Sequence, residues 1–360
     1  MSGSPRKVGV IGVGFGSQVY VPAFQAEGWD VVAICSRNRE KAAKAAAEAG
    51  IRGVHTDPLE LIGRDDLDAV AIASPPAGHH PLALAALAAG RHVLCEKPFA
   101  LNLAQATEMR DAAHRSKSIA MVGHEFRFTP QRAFIKELLS ESYIGAARLC
   151  TIDLFLDRYV TPKLRPWTWL ASKAEGGGLL GALGLHYVDA LLYWFGDVVS
   201  VSGRLAILRP DLVDPESSRP VRAETDDTYQ FTLTFRSGTV ATMIASFATT
   251  PTRGAKIAVM GDRGTLIAEQ PGPNPLADGI VIASRDGSAL QPLETPGRHA
   301  LAHDDRDHRL AAFRALVHDF GVGIDKRTSP APNFTDGWRC QQVLDAVHAS
   351  SASGQEIRVA

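Results

Sequence analysis

The chain has 360 residues, 45% of them hydrophobic and 21% charged, with a formal net charge of −1. That is the make-up of a globular protein with room for more than one core, and without a basic run no nucleic-acid footprint is expected. The uncharged stretch 176–188 is glycine-rich, carries a histidine and falls short of the ~20 apolar residues of a membrane helix. Cys35, Cys95, Cys150 and Cys340 are widely spaced without a C-x-x-C pair. The short polar segment up to Lys7 holds no apolar signal region. Reduced thiols in a cytoplasmic protein are therefore expected.

In chain order, Lys7 to Ile11 reads as a strand and runs into Gly12-Val13-Gly14-Phe15-Gly16-Ser17. A helix pattern follows, with Val19, Ala23 and Phe24 on one face. Strand, glycine turn and helix in that order make a dinucleotide fingerprint: the first glycine permits the tight turn, and the second lets a pyrophosphate approach the backbone. Free amides at the helix start then hold the phosphates. Further strands are expected at Val31–Cys35, near Val54, and at Ala69–Ala73, His92–Cys95 and Ile119–Val122. Helices are expected at Arg39–Ala49, His79–Ala89 and from the Asn102 cap to about Arg115. Strands separated by helices of this length imply a doubly wound parallel sheet, here assigned to residues 1–124.

Cofactor choice is decided at the end of the second strand. An NAD enzyme places an acid there for the ribose hydroxyls, whereas this chain has Ser36-Arg37-Asn38. A hydroxyl and a guanidinium suit a 2′-phosphate, so NADP is favoured over NAD. Ser74-Pro75-Pro76 turns the chain out at the end of the fourth strand, toward the nicotinamide side, and His79 opens the next helix. Glu96-Lys97-Pro98 follows the fifth strand. A lysine at the carboxyl end of a parallel strand is where an α/β enzyme keeps its chemistry.

Past Gly123 the pattern changes. Residues 125–360 are expected to form an α+β domain with a large, mostly antiparallel open sheet. Its helices are placed at Pro130–Ser140, about Leu179–Phe195, Asp304–Phe320 and Thr335–Ser350. Its strands are placed at Ala147–Leu156, Val198–Leu208, Thr228–Phe235, Val240–Phe247, Lys256–Met260 and Thr265–Ala268. Residues 210–220 and 270–278 read as surface loops. On the helix led by Gly176-Gly177-Gly178, a 3.6-residue period puts Ala182, His186, Asp189 and Tyr193 on one stripe. Arg158, Tyr159, Arg165, Trp167 and Trp169 precede it and suit a sugar site, since aromatic faces stack on C–H-rich rings and arginine donates to hydroxyls or acids. Arg127 is expected to make an interdomain ion pair. His303, Asp304, Asp305, Asp307 and His308 cluster at a helix start, where the dipole favours acids, and no metal is expected there.

Gly12-Val13-Gly14, Ser74-Pro75-Pro76, the run Gly90 to Pro98, Gly176-Gly177-Gly178 with Gly184-Leu185-His186, and Asn333-Phe334-Thr335-Asp336-Gly337 together resemble the glucose–fructose oxidoreductase / inositol dehydrogenase (Gfo/Idh/MocA) family. The resemblance spans the chain. It implies that Lys97 lies beside the nicotinamide and the substrate hydroxyl, and that the Lys97–Pro98 bond is cis. It also implies cofactor contacts at Gly12, Gly14, Phe15, Gly16, Ser36, Arg37, Ser74, Pro75, His79 and Glu96, and homo-oligomers (dimer or tetramer) through the open sheet. The family pattern places an aspartate where this chain has Ala182. His186 keeps its place as general base, its ordinary pKa of ~6.5 suiting proton transfer near neutrality. Lys97 would then carry more of the polarisation, or Tyr187 or a substrate group would help.

The implied reaction is hydride transfer between a nicotinamide and a secondary alcohol or ketone of a sugar, cyclitol or related polyol. Two rivals stand beside it. One retains tightly bound NAD(P) for transient oxidation in a net non-redox step, such as elimination or glycoside cleavage. The other is a non-catalytic dinucleotide-binding sensor.

Overall fold

A computed structural model describes residues 5–160, 165–272 and 279–359. Two compact units divide the chain: Met1–Glu125 with Ala302–Gln341, and Phe126–Leu301 with Gln342–Ala360.

The first unit is built on β1 (Lys7–Ile11), β2 (Asp30–Cys35), β3 (Gly53–His55), β4 (Ala69–Ile72), β5 (His92–Cys95) and β6 (Ala120–Val122). They form one parallel sheet in the order β3-β2-β1-β4-β5-β6. The helices between them are α1 (Val21–Ala26), α2 (Arg39–Ala49), α3 (Pro58–Ile62), α4 (His79–Ala88) and α5 (Leu103–Arg115). This is the expected doubly wound sheet, and its order reverses between β1 and β4, the place where such sheets bind ligands. The expected cap is in place, Asn102 Oδ1 accepting from the Gln105 amide at 3.0 Å, and Asn38 Oδ1 likewise caps α2 by accepting from the Lys41 amide at 2.9 Å. Apolar strands buried on both faces supply the core, with Val70, Ile72 and Val93 packed against Leu82, Met109 and Phe99.

The unit also holds residues 302–341, so it is not bounded at 124 alone. The reason is aromatic packing from α8 (Leu310–Lys326). Phe313 lies 4.4 Å from the Tyr20 ring and 5.9 Å from Phe15, and Phe320 stacks on Trp29 at 5.7 Å. The helix begins later than the expected Asp304, because Asp304 and Asp307 turn onto the guanidiniums of Arg306 and Arg309 two residues on. It runs past the expected Phe320 because Gly321 and Gly323 are buried within it, and it ends at Arg327 in the left-handed region.

The second unit contains α6 (Pro130–Ser140), α7 (Leu185–Phe195) and, in part, α9 (Phe334–Ser353). Its large sheet uses β7 (Ala147–Phe155), β9 (Val198–Ala206), β12 (Thr228–Phe235), β13 (Val240–Ser246), β14 (Gly254–Gly261), β15 (Gly264–Gln270), β16 (Ile280–Arg285), β17 (Gln291–Leu293) and β18 (Ile357–Arg358). The nine strands run in the order β17-β16-β15-β14-β7-β13-β12-β9-β18. Every pair is antiparallel except β7 with β13. Buried residues alternate with half-buried or exposed ones along β12 and through the middle of β14, which marks a sheet with one covered face.

Residues 210–220, expected as a loop, instead carry β10 (Asp211–Val213) and the start of β11 (Pro220–Arg222), which pair with each other, β10 pairing on its other side with β8 (Arg165–Pro166). Three-residue strands around Pro210, Pro215 and Pro220 have no period long enough to read. Most of the loop expected at 270–278 lies outside the described residues. Among the described residues, no helix is long and apolar enough to cross a membrane.

Candidate active site

In the first unit, the chemistry gathers where β1, β4 and β5 end. Gly12 takes φ +115°, and its amide donates to the Cys35 carbonyl at 2.9 Å. A Cβ there would collide with the Ala73 carbonyl, so only glycine makes this turn. A Cβ at Gly14 would meet nothing within 4 Å, leaving the second glycine open to an approaching group. The helix then begins with one wide turn, Gly16–Tyr20. Ser17, at the third glycine position, bonds back from its Oγ to the Val13 carbonyl at 2.6 Å. At the end of β2, Ser36 Oγ accepts from the Asn38 amide at 3.3 Å, and Arg37 is exposed.

Lys97 follows β5 directly, and its peptide bond to Pro98 is cis. Its Nζ lies 3.5 Å from Glu96 Oε1, and only 15% of its side chain is exposed. Glu96 also accepts from the Tyr20 hydroxyl at 2.8 Å. Burial pushes the Glu96 carboxyl above its ordinary pKa, while the neighbouring Lys97 ammonium and the Tyr20 hydrogen bond pull it back. Gly123 closes the other side of this pair, since a Cβ there would run into Glu96 Oε2.

His79 is fully buried, with Nδ1 2.7 Å from the Pro98 carbonyl oxygen and Nε2 2.8 Å from that of Ser74. The expected cofactor residue thus ties the Ser74 turn to the chain just after Lys97. Burial lowers its pKa, and the two carbonyl contacts oppose that shift.

Two neighbours of this loop had no motif to reveal them. Arg309 places its guanidinium carbon 5.1 Å from the Phe15 ring centroid and hydrogen-bonds Gln18 Oε1 at 3.3 Å. Tyr20 reaches Glu96 across 76 residues of chain. Asp304 and Asp307, weighed for metal, pair with Arg306 and Arg309 at 2.6 Å each.

In the second unit, His186 sits on α7 and is buried. Its ring lies flat on Phe126, with centroids 3.8 Å apart and planes 8° from parallel. Ala182, one turn earlier, is half-buried. Arg127 holds Asp189 through two hydrogen bonds of 2.6 Å and covers the Tyr193 ring at 4.7 Å. The ion pair expected between domains is therefore internal to this unit. Tyr187 is fully buried under the Arg132 guanidinium, 4.9 Å from it.

The approach to this helix is capped by Asp226, whose Oδ2 accepts from the Leu180 amide at 2.8 Å. Burial pushes the Asp226 carboxyl up to about 6. Of the residues expected to line a sugar site, Arg165 stacks on Tyr159 at 3.6 Å. Tyr159 meets Phe247 edge-on at 5.2 Å, and Arg158 lies 5.4 Å over that same phenylalanine. Trp167 is exposed just past β8, while Trp169 is half-buried at the start of a short turn, Trp169–Ala171.

Comparison with known proteins joins these observations. Residues 6–124 match the oxidoreductase family with an NAD-binding Rossmann fold, GFO/IDH/MocA, and residues 133–267 match the GFO/IDH/MocA C-terminal domain. An uncharacterized oxidoreductase of Synechocystis is 31% identical over 96% of this chain and 94% of its own. Levoglucosan dehydrogenase of Pseudarthrobacter phenanthrenivorans is 26% identical over 98% and 97%. The crystal structure of an NAD-binding oxidoreductase from Klebsiella pneumoniae superposes with a TM-score of 0.87 at 27% identity, covering 99% of both chains. The two family models together span most of the chain, which belongs to the GFO/IDH/MocA family of oxidoreductases.

Proposed function

We propose that this oxidoreductase exchanges hydride between a nicotinamide dinucleotide and a secondary alcohol or ketone of a sugar or related polyol. The observation that carries the reading is the placement of Lys97 just past β5, beside a glycine turn whose second glycine is open. The name of the sugar-oxidising relative, levoglucosan dehydrogenase, supports the substrate class.

The residues present fit the cofactor. The Gly12 turn and the amides at the start of the following helix would hold the pyrophosphate, and Ser36 and Arg37 the adenosine ribose. When bound, the nicotinamide supplies hydride exchange at its C4. Lys97 donates a hydrogen bond to the substrate oxygen and stabilises the negative charge that develops there. Its neighbour Glu96 is tied down by Tyr20, which keeps the ammonium on a short leash. His186 accepts the hydroxyl proton in the oxidative direction. Arg165 stacked on Tyr159 offers a flat wall and a donor fork for the sugar ring.

Arg37 in place of an acid supports acceptance of NADP as well as NAD. The open face of the nine-stranded sheet, where Leu149, Ile244 and Ile280 are 50%, 37% and 60% exposed, supports self-association. The reducing setting suited to four buried free thiols supports a cytoplasmic location.

A sugar and polyol panel followed at 340 nm with NAD and NADP tests the reading. Turnover with at least one polyol is expected, and Lys97→Ala and His186→Asn should each lower kcat/KM on the order of 10²- to 10⁴-fold. Full activity in either variant would remove that residue from the mechanism. Arg37→Asp should shift preference from NADP toward NAD, and an unchanged ratio would discard Arg37.

A further inference from the structure

The mechanism needs the His186 imidazole in one orientation, and the structure sets a flat ring against it. Phe126 lies 3.8 Å from the imidazole, centroid to centroid, with 8° between the planes, and both residues are buried. A contact this close and this flat blocks rotation of the imidazole about its Cβ–Cγ bond, because a tilted ring would drive its edge into the phenyl face.

Phe126 is held in turn. Arg132 is 1% exposed, and its guanidinium carbon lies 4.5 Å from the Phe126 centroid and 4.9 Å from that of Tyr187. Tyr187 meets Phe126 edge-on at 6.2 Å. The next residue along, Arg127, grips Asp189 three positions after His186 with a bidentate pair. One segment, 126–132, therefore seizes α7 at 186, 187 and 189 and presents a fixed aromatic plane to the histidine.

We propose that Phe126 is a positioning residue: it sets the plane of the His186 imidazole for proton transfer and itself touches neither substrate nor cofactor. The inference rests on His186 being the base, and the two ideas fail separately.

Phe126→Leu removes the flat face at little change in volume, and Phe126→Tyr keeps it. Phe126→Leu should lower kcat by about 10- to 100-fold, the scale of a misdirected catalytic group, with KM and the Kd for NADH changed less than about threefold. Phe126→Tyr should keep kcat within about threefold of the parent. In a His186→Asn background, Phe126→Leu should cost nothing further, because the group it orients is gone.

Phe126→Leu that keeps kcat and loses only thermal stability would overturn the proposal. So would a loss of equal size in the His186→Asn background. Unimpaired His186→Asn would instead retire the base assignment itself. If Phe126→Leu fails to fold, Phe126→Trp and Phe126→Tyr carry the test: both retain a ring, and a collapse of kcat in both with intact folding sinks the proposal.

Discussion

The surroundings of Lys97 and of His186 are built by opposite means. Around Lys97, in the first unit, the partners come from the ends of regular strands and from the backbone. Glu96 is the adjacent residue, and His79 opens the helix after β4 with a carbonyl oxygen beside each ring nitrogen. Around His186, in the second unit, the partners are side chains of a short turn and the start of α6, some 60 residues earlier. Phe126 lies against the imidazole, Arg127 on Asp189 and Arg132 over Tyr187. A site assembled from strand ends inherits its geometry from the sheet, whereas a site assembled from side chains on one helix must be braced by something remote.

The largest stability effect expected from that contrast is at the brace. Arg127 and Asp189 are 6% and 1% exposed, and removing one partner of a buried pair strands the other charge. Arg127→Met should therefore lower unfolding free energy by about 3–5 kcal/mol in a urea titration. A loss under about 1 kcal/mol would mean that the segment's hold on α7 is carried by the aromatic contacts alone.

A pH experiment sharpens the same side of the comparison. Asp226 titrates at about 6 in the folded protein, against an ordinary value of 3.8. The folded state thus keeps this proton to higher pH than the unfolded chain does. Stability attributable to the group is complete below about pH 4 and falls as pH rises through about 6, by on the order of 3 kcal/mol. Asp226→Asn retains an acceptor for the Leu180 amide and should flatten that decline. Parallel pH–stability curves for parent and variant between pH 4 and 7 would contradict the assignment.

On the Lys97 side the corresponding test is smaller. Gly123→Ala drives a methyl group into Glu96 and the Tyr20 hydroxyl. Overpacking of this kind costs about 1–3 kcal/mol. The expected result is a lower melting temperature together with a lower kcat, since the displaced carboxylate is the one beside Lys97. A variant with unchanged kcat would show that Glu96 can move without carrying Lys97 with it.

The alternation from Lys7 to Val122 and the glycine turn were legible, because each strand there is a short apolar run closed by a turn residue or a cap. Lys97 was legible for the same reason: it stands at a strand end that the pattern locates. The helix of His186 was also legible from its glycine start and its apolar period. The attachment of α8 to the first unit was not, since it depends on Phe313 and Phe320 meeting Tyr20 and Trp29 nearly 300 residues away. Nor were β8, β10 and β11, which are two or three residues long with a proline in or beside each.

By itself, then, the sequence determined the doubly wound sheet, the large second sheet, the family and the two residues proposed for the chemistry, all of which rest on local periods and adjacent motifs. Only the tertiary structure decided that His79 serves two carbonyls, that Arg127 pairs within its own unit and that Phe126 lies flat on His186. Those facts depend on which distant side chains fill the space around a given group, and packing of that kind leaves no period in the chain to read.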